Sequence, residues 1–228
     1  MSLNAVVFDM DGTLLDSSAT VPAAYAAAIY DLSGRRCSDE EVIAAYSAGH
    51  TAALIGTFIG RSATDADVEC WLGHLGSRLA LTIIYPGVLD MITELRKQGL
   101  AIGVFTGATR RAAELQLRHA NLAELVDALV GSDEIGAVKP APDGIHLVCD
   151  RLGVHPRDVA YVGDAQNDLR CARAAGALPV AAAWGHLYEP DDDFHVIVPT
   201  PHEMHLVLAA RELGPPLSTT PKATDPDC

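Results

Sequence analysis

Apolar residues along this chain fall into two rhythms that take turns. Short unbroken runs end at glycine or polar residues and predict buried strands over 5–8, 101–105, 128–130, 159–162 and 178–183, with a weaker sixth over 196–198. Between them the apolar positions recur every three or four residues. Val88, Leu89, Ile92 and Leu95 mark one face of a helix that stops at Gly99, and further helices are predicted over 110–119, over 142–152, between Asp164 and Gly176, and from about His202. Strands that alternate with helices pair in parallel through right-handed crossovers. The predicted fold is α/β: a doubly wound, Rossmann-like parallel sheet with helices on both faces.

One interval breaks the alternation. From about Asp16 to Tyr85 nothing reads as a strand. Val21 to Leu32 is alanine-rich with Pro22 near its start, Ser38-Asp39-Glu40-Glu41 has the pattern of a capping box, and Thr64-Asp65-Ala66-Asp67 opens a helix carrying Val68, Trp71, Leu72, Leu75 and Leu79. Tyr85-Pro86-Gly87 is a turn signal that returns the chain to the sheet. The expected organisation is an α/β core of residues 1–16 and 86–213, an inserted all-helical subdomain over 17–85, and a proline-rich tail over 214–228.

Composition narrows the partners. Thirty acidic against sixteen basic side chains give a formal charge of −14, which disfavours nucleic acid and anionic membrane surfaces. Five cysteines form no C-x-x-C pair, which argues for free thiols in a reducing compartment rather than a disulfide framework or zinc ribbon. No apolar run is long enough to span a bilayer, and the first residues lack the pattern of a signal peptide. The expectation is a cytoplasmic monomer or homodimer with a small-molecule partner.

Candidate chemistry sits where the strands end. Asp9 and Asp11 follow the first predicted strand, Thr106-Gly107 the second, Lys139 lies beyond the third, and Asp164 with Asp168 follows the fourth. In a parallel sheet these positions converge on the edge where ligands bind. Singly each has an ordinary explanation, as an Asx-turn, a strand end, a solvated lysine or helix-start acids. Together, four carboxylates and one ammonium sum to −3, and crowded carboxylates bind a cation or hold protons. All-oxygen ligation suits Mg²⁺, and no histidine lies at these strand ends to suggest zinc. Carboxylate-pair glycoside hydrolysis leaves the lysine and the hydroxyl unexplained. Phosphoryl transfer uses every group: one carboxylate as nucleophile, another as proton donor, and the hydroxyl, ammonium and backbone N–H groups to hold the transferring oxygens.

The same residues resemble the four motifs of the haloacid dehalogenase-like hydrolase superfamily, in the branch that contains phosphoglycolate phosphatases and β-phosphoglucomutase. Asp9-Met10-Asp11-Gly12-Thr13, Thr106-Gly107, Lys139-Pro140 and Gly163-Asp164-Ala165-Gln166-Asn167-Asp168 stand in the family's order, and the likeness runs from about Leu3 to Leu208. The resemblance implies Asp9 as nucleophile, Asp11 as general acid/base, and Thr106, Gly107 and Lys139 as the phosphate site. It also implies Mg²⁺ held by Asp9, the Asp11 carbonyl and Asp164, with Asp168 orienting the site. The helical insertion becomes a cap that closes over the core.

Two neighbouring reactions are set aside by residues. Asp11 is present, whereas a dehalogenase needs no second acid because halide leaves unprotonated. Residues 17–85 contain no lysine for the Schiff base of a phosphonatase. The expected activity is Mg²⁺-dependent hydrolysis of a small phosphomonoester, of the phosphoglycolate or sugar phosphate class, through an aspartyl-phosphate. A β-phosphoglucomutase-type phosphotransfer is the alternative, and a catalytically silent binding protein on the same fold a further one. His50 and Arg61, near turns of the cap, are candidates to read the leaving group. Gly107-Ala108 stands where phosphoglycolate phosphatases often carry Asn and Lys, a departure from that specific assignment. His186, His195, His202 and His205 show no metal spacing and read as ordinary surface or partly buried residues.

Overall fold

The computed structural model describes residues 3–190, 196–205 and 207. Six parallel strands form one sheet: β1 (Ala5–Phe8), β4 (Ala101–Phe105), β5 (Ala128–Val130), β6 (Val159–Gly163), β7 (Leu178–Ala182) and β8 (Ile197–Val198), in the order β5-β4-β1-β6-β7-β8. The predicted doubly wound sheet is thus present. Its side chains alternate between two cores, as the strand period requires. Val6, Phe8, Ile102, Val104 and Val162 pack with α5 (Val88–Lys97) and α6 (Arg110–His119) on one face. Ala5, Val7, Phe105, Val130 and Tyr161 pack with α7 (Asp143–Leu152) and α8 (Gln166–Ala175) on the other. β1 lies between β4 and β6, so the order of strands reverses direction at its carboxyl end, where a crevice opens for a ligand.

The interval between β1 and α5 folds around a third core. α1 (Thr20–Ser33), α2 (Asp39–Ala44), α3 (Thr51–Ile59) and α4 (Asp65–Gly76) bury Tyr25, Ile29, Val42, Leu54, Ile55, Phe58, Trp71 and Leu75 among themselves. Both predicted caps form: the hydroxyls of Ser38 and Thr64 accept from the N–H groups of Glu41 and Asp67, whose carboxylates accept in return from the cap N–H. The second predicted helix stops at Ala44 and continues as one tighter turn, Ala45–Ala48.

One prediction for this interval fails. Two-residue strands β2 (Leu15–Asp16) and β3 (Ile83–Ile84) pair antiparallel at the two crossings between the helical interval and the core. Each is too short to show an alternating pattern, which is why the sequence read the interval as wholly helical. The last predicted helix begins instead as a 3₁₀ turn, Pro201–Met204. His195 and the tail from Gly214 lie outside the described residues. Among the described residues no helix is long and apolar enough to cross a membrane.

Candidate active site

The carboxyl end of β1 carries the chain directly into the site. After Phe8 the backbone turns tightly: the N–H groups of Leu14 and Leu15 both donate to the Met10 carbonyl, and Gly12 N–H donates to the Leu15 carbonyl. Gly12 adopts φ +91°, and a Cβ there would overlap the Asp164 carboxylate, so only glycine permits both the turn and the approach. From the far side, Trp184 Nε1–H donates to the Thr13 carbonyl at 2.8 Å. The turn is fixed from within and from without.

Asp9, Thr106, Lys139, Asp164 and Asp168 are brought together at this edge, with Asp11 beside them. Lys139 Nζ lies 2.5 Å from Asp9 Oδ1 and 2.8 Å from Asp168 Oδ1, with the rings of Phe105 and Tyr161 flanking the ammonium. Burial alone disfavours the lysine's charge, but Asp168 and Asp9 outweigh it and hold the ammonium protonated well above its usual range. Asp9 experiences the opposite balance. Burial pushes its carboxyl up, Lys139 opposes, and the charges of Asp168 and Asp164 add to the upward push. Asp168 is secured on three sides, by Lys139, by Tyr161 O–H at 3.3 Å and by Ala165 N–H at 3.1 Å.

Asp11 stands apart from that ion pair. Its Oδ1 accepts from Ser17 O–H at 2.6 Å and its Oδ2 from Thr106 O–H at 3.4 Å. Burial raises its pKa, against the pull of Ser17 and Lys139. With no ammonium bound to it, this carboxyl lies outside the Asp9–Lys139–Asp168 ion pairs. Thr106 Oγ1 also accepts from Ala108 N–H, which fixes the hydroxyl at the head of the β4–α6 turn, and Gly107 next to it is exposed.

Asp164 is the least satisfied member. Its Oδ2 accepts from Leu187 N–H at 2.9 Å, whereas its Oδ1 is buried with no hydrogen-bond partner. Oxygens of Asp9, Asp164 and Asp168 lie within 4.8 Å of one another. Both oxygens of Asp168 are engaged, Oδ1 by Lys139 and Oδ2 by Ala165 N–H, whereas Asp9 is engaged through Oδ1, so Asp9 and the orphaned oxygen of Asp164 are the donors available to a hard cation, and an all-oxygen set suits one. These residues fit a divalent metal. A second group of ligating side chains, Asp31, Cys70 and His74 on α1 and α4, is different in kind: His74 already pairs with Asp31, and Arg78 approaches the other ring nitrogen.

His186 is exposed, as its sequence position suggested, and its Nδ1 lies 3.2 Å from Tyr85 Oη. The two cap candidates sit differently from each other. His50 is exposed as the residue before α3. Arg61 is engaged by both oxygens of Asp67, at 2.6 and 2.9 Å, and ties the α3–α4 turn.

Similar proteins carry related chemistry. The chain is 31% identical to an N-acetylmuramic acid 6-phosphate phosphatase of Pseudomonas aeruginosa, with 91% of this chain and 96% of that one covered. It is 27% identical to a phosphoglycolate phosphatase of Salmonella typhimurium, covering 87% and 92%. The fold matches that of CbbY from Rhodobacter sphaeroides, solved in complex with phosphate, with a TM-score of 0.77 at 20% identity over 89% of this chain and 96% of that one. Residues 6–182 match the family model, and the chain belongs to the haloacid dehalogenase-like hydrolases.

Proposed function

We propose that this protein is a Mg²⁺-dependent phosphatase that hydrolyses small phosphomonoesters through a phosphorylated Asp9. The observation that carries the reading is the division between the two acids of the first loop: Asp9 is ion-paired with Lys139 at 2.5 Å, while Asp11 lies outside that pair and accepts from the hydroxyls of Ser17 and Thr106. The named activities of the relatives support the phosphatase class.

Asp9 and Asp164, with the Asp11 carbonyl, would hold the metal, which supplies positive charge that lets a carboxylate approach a phosphate. Asp9 attacks phosphorus, and Lys139, Thr106 and the Gly107 N–H bind the transferring oxygens. Asp11 protonates the departing alkoxide as the P–O bond breaks. Now ionised, it takes a proton from the water that hydrolyses the acyl phosphate and returns the enzyme to its starting state. Residues 17–85 act as a cap over this edge, with β2 and β3 as its two stalks.

The test is release of phosphate from p-nitrophenyl phosphate with and without Mg²⁺. Activity that requires the metal and vanishes in Asp9→Asn is expected. Turnover that survives that substitution would remove Asp9 as nucleophile.

A further inference from the structure

We propose that the turn after β7, residues 183–188, positions the Asp164 carboxylate for a divalent cation, and that Trp184 is the positioning residue that locks this turn to the loop carrying Asp9 and Asp11. The proposal rests on the reading of Asp9 and Asp164 as the donors to that cation. Trp184 supplies no ligand and lies outside the four motifs.

The terminal torsion of an aspartate is broad, so its rotamer alone does not aim an oxygen. A small hard cation demands near-octahedral donors, and something outside the side chain must then do the aiming. Asp9 and Asp168 are held by the Lys139 ammonium. Asp164 is held by the turn instead: Leu187 N–H donates to its Oδ2 at 2.9 Å, which leaves the buried, unpartnered Oδ1 as the oxygen to meet the metal. The Leu187 side chain itself is exposed, so the contact belongs to its backbone.

The turn delivers that N–H by lying directly on both loops. A Cβ on Gly185 would overlap the Asp164 side chain and the Gly12 carbonyl, so only glycine lets the chain pass this close. Hydrogen bonds from Gly185 N–H to the Ala182 carbonyl at 3.1 Å and from Tyr188 N–H to the Gly185 carbonyl at 3.4 Å close the turn on itself. Its tie to the first loop is Trp184. The indole packs against the core beneath β1, and its Nε1–H donates at 2.8 Å to the carbonyl of Thr13, 171 positions earlier in the chain and two residues after Asp11. One side chain thereby fixes the loop that bears Asp9 against the turn that aims Asp164. The ring contributes packing, whereas the N–H sets the alignment of donors that come from two different strands.

Trp184→Phe separates the two, because it keeps an aromatic ring and removes the N–H. Calorimetric titration with Mg²⁺, without substrate, is expected to show a dissociation constant raised by about tenfold or more in Trp184→Phe, the scale of losing an outer partner of a metal ligand. The Mg²⁺ dependence of p-nitrophenyl phosphate turnover should shift by the same factor, with kcat approaching the wild-type value once Mg²⁺ is saturating. Gly185→Ala, checked for native circular dichroism, should weaken Mg²⁺ in the same direction by lifting the turn off Asp164. A lowered melting temperature with an unchanged Mg²⁺ dissociation constant in Trp184→Phe would overturn the proposal, since that is what packing alone predicts. So would a loss of kcat that saturating Mg²⁺ fails to restore. Asp164→Asn distinguishes this failure from that of the underlying reading. If Asp164→Asn weakens Mg²⁺ and Trp184→Phe does not, only the positioning role falls; if wild type binds no Mg²⁺, or Asp164→Asn binds it equally well, the metal reading falls.

Discussion

Asp9 and Asp11 are two positions apart in one loop and of one type, yet their surroundings differ, and the proposed mechanism gives them opposite work. Lys139 gives Asp9 a charged partner at 2.5 Å, whereas Asp11 has two hydroxyls. A substitution at Asp11 should therefore show the signature of a missing acid rather than a missing nucleophile. Asp11→Asn is expected to lose about 10²–10⁴-fold on alkyl phosphates, whose leaving oxygen needs a proton, and far less on p-nitrophenyl phosphate, whose leaving group does not. Equal losses on both would argue against a proton-transfer role. Lys139 invites a different measurement. Lys139→Met leaves two buried carboxylates facing each other, and chemical denaturation should show a loss of order 3 kcal/mol, the scale for breaking one side of a buried pair. These residues were legible because each motif acid or base follows an apolar strand at a place where parallel topology must gather it. The orphaned Asp164 Oδ1 was not, because which oxygen of a carboxylate finds a partner depends on the loop folded against it, here at Leu187.

At the scale of elements, local chemistry decided nearly everything that could be read. The boundaries of β4 and α6 coincide with those predicted, since apolar runs and a threonine cap are local signals. The two-residue strands at the cap crossings were invisible because their pairing depends on residues almost 70 positions apart. The turn between α3 and α4 carries a prediction with a definite sign. The Arg61 guanidinium, with Thr64 N–H and O–H, holds the Asp67 carboxyl well below its usual range. A depressed folded-state pKa adds stability that is present above the unfolded value of 3.8 and is lost as pH falls through the folded value. Thermal melts should show Asp67→Asn less stable than wild type at pH 7, with the gap narrowing as the pH is taken below 4. A gap independent of pH would mean that packing, not charge, makes the contribution. Thr64→Ala, which removes the cap hydroxyl alone, is expected to cost about 1 kcal/mol.

For the whole molecule the question is what holds the helical cap against the core. α4 meets α6, Ala112 packs into the cap's own core, and Arg111 of α6 reaches across to Glu69 of α4. This ion pair is exposed on both sides, with 67% and 53% of the two side chains accessible. An exposed pair contributes about 0.2–1 kcal/mol, too little to fix the fold but enough to change an open-to-closed ratio by up to about fivefold. Where turnover needs the cap closed over the core, Arg111→Glu should raise KM for substrates that contact the cap by up to about fivefold, while turnover of p-nitrophenyl phosphate is unaffected. Pairing it with Glu69→Arg restores the attraction with the charges exchanged and should return KM toward wild type. Both effects should shrink in 0.5 M salt, where screening acts within about 4–5 Å. A loss that the exchanged pair fails to rescue, or one indifferent to salt, would place the contribution of Arg111 in its packing on the α4–α6 contact instead of in its charge.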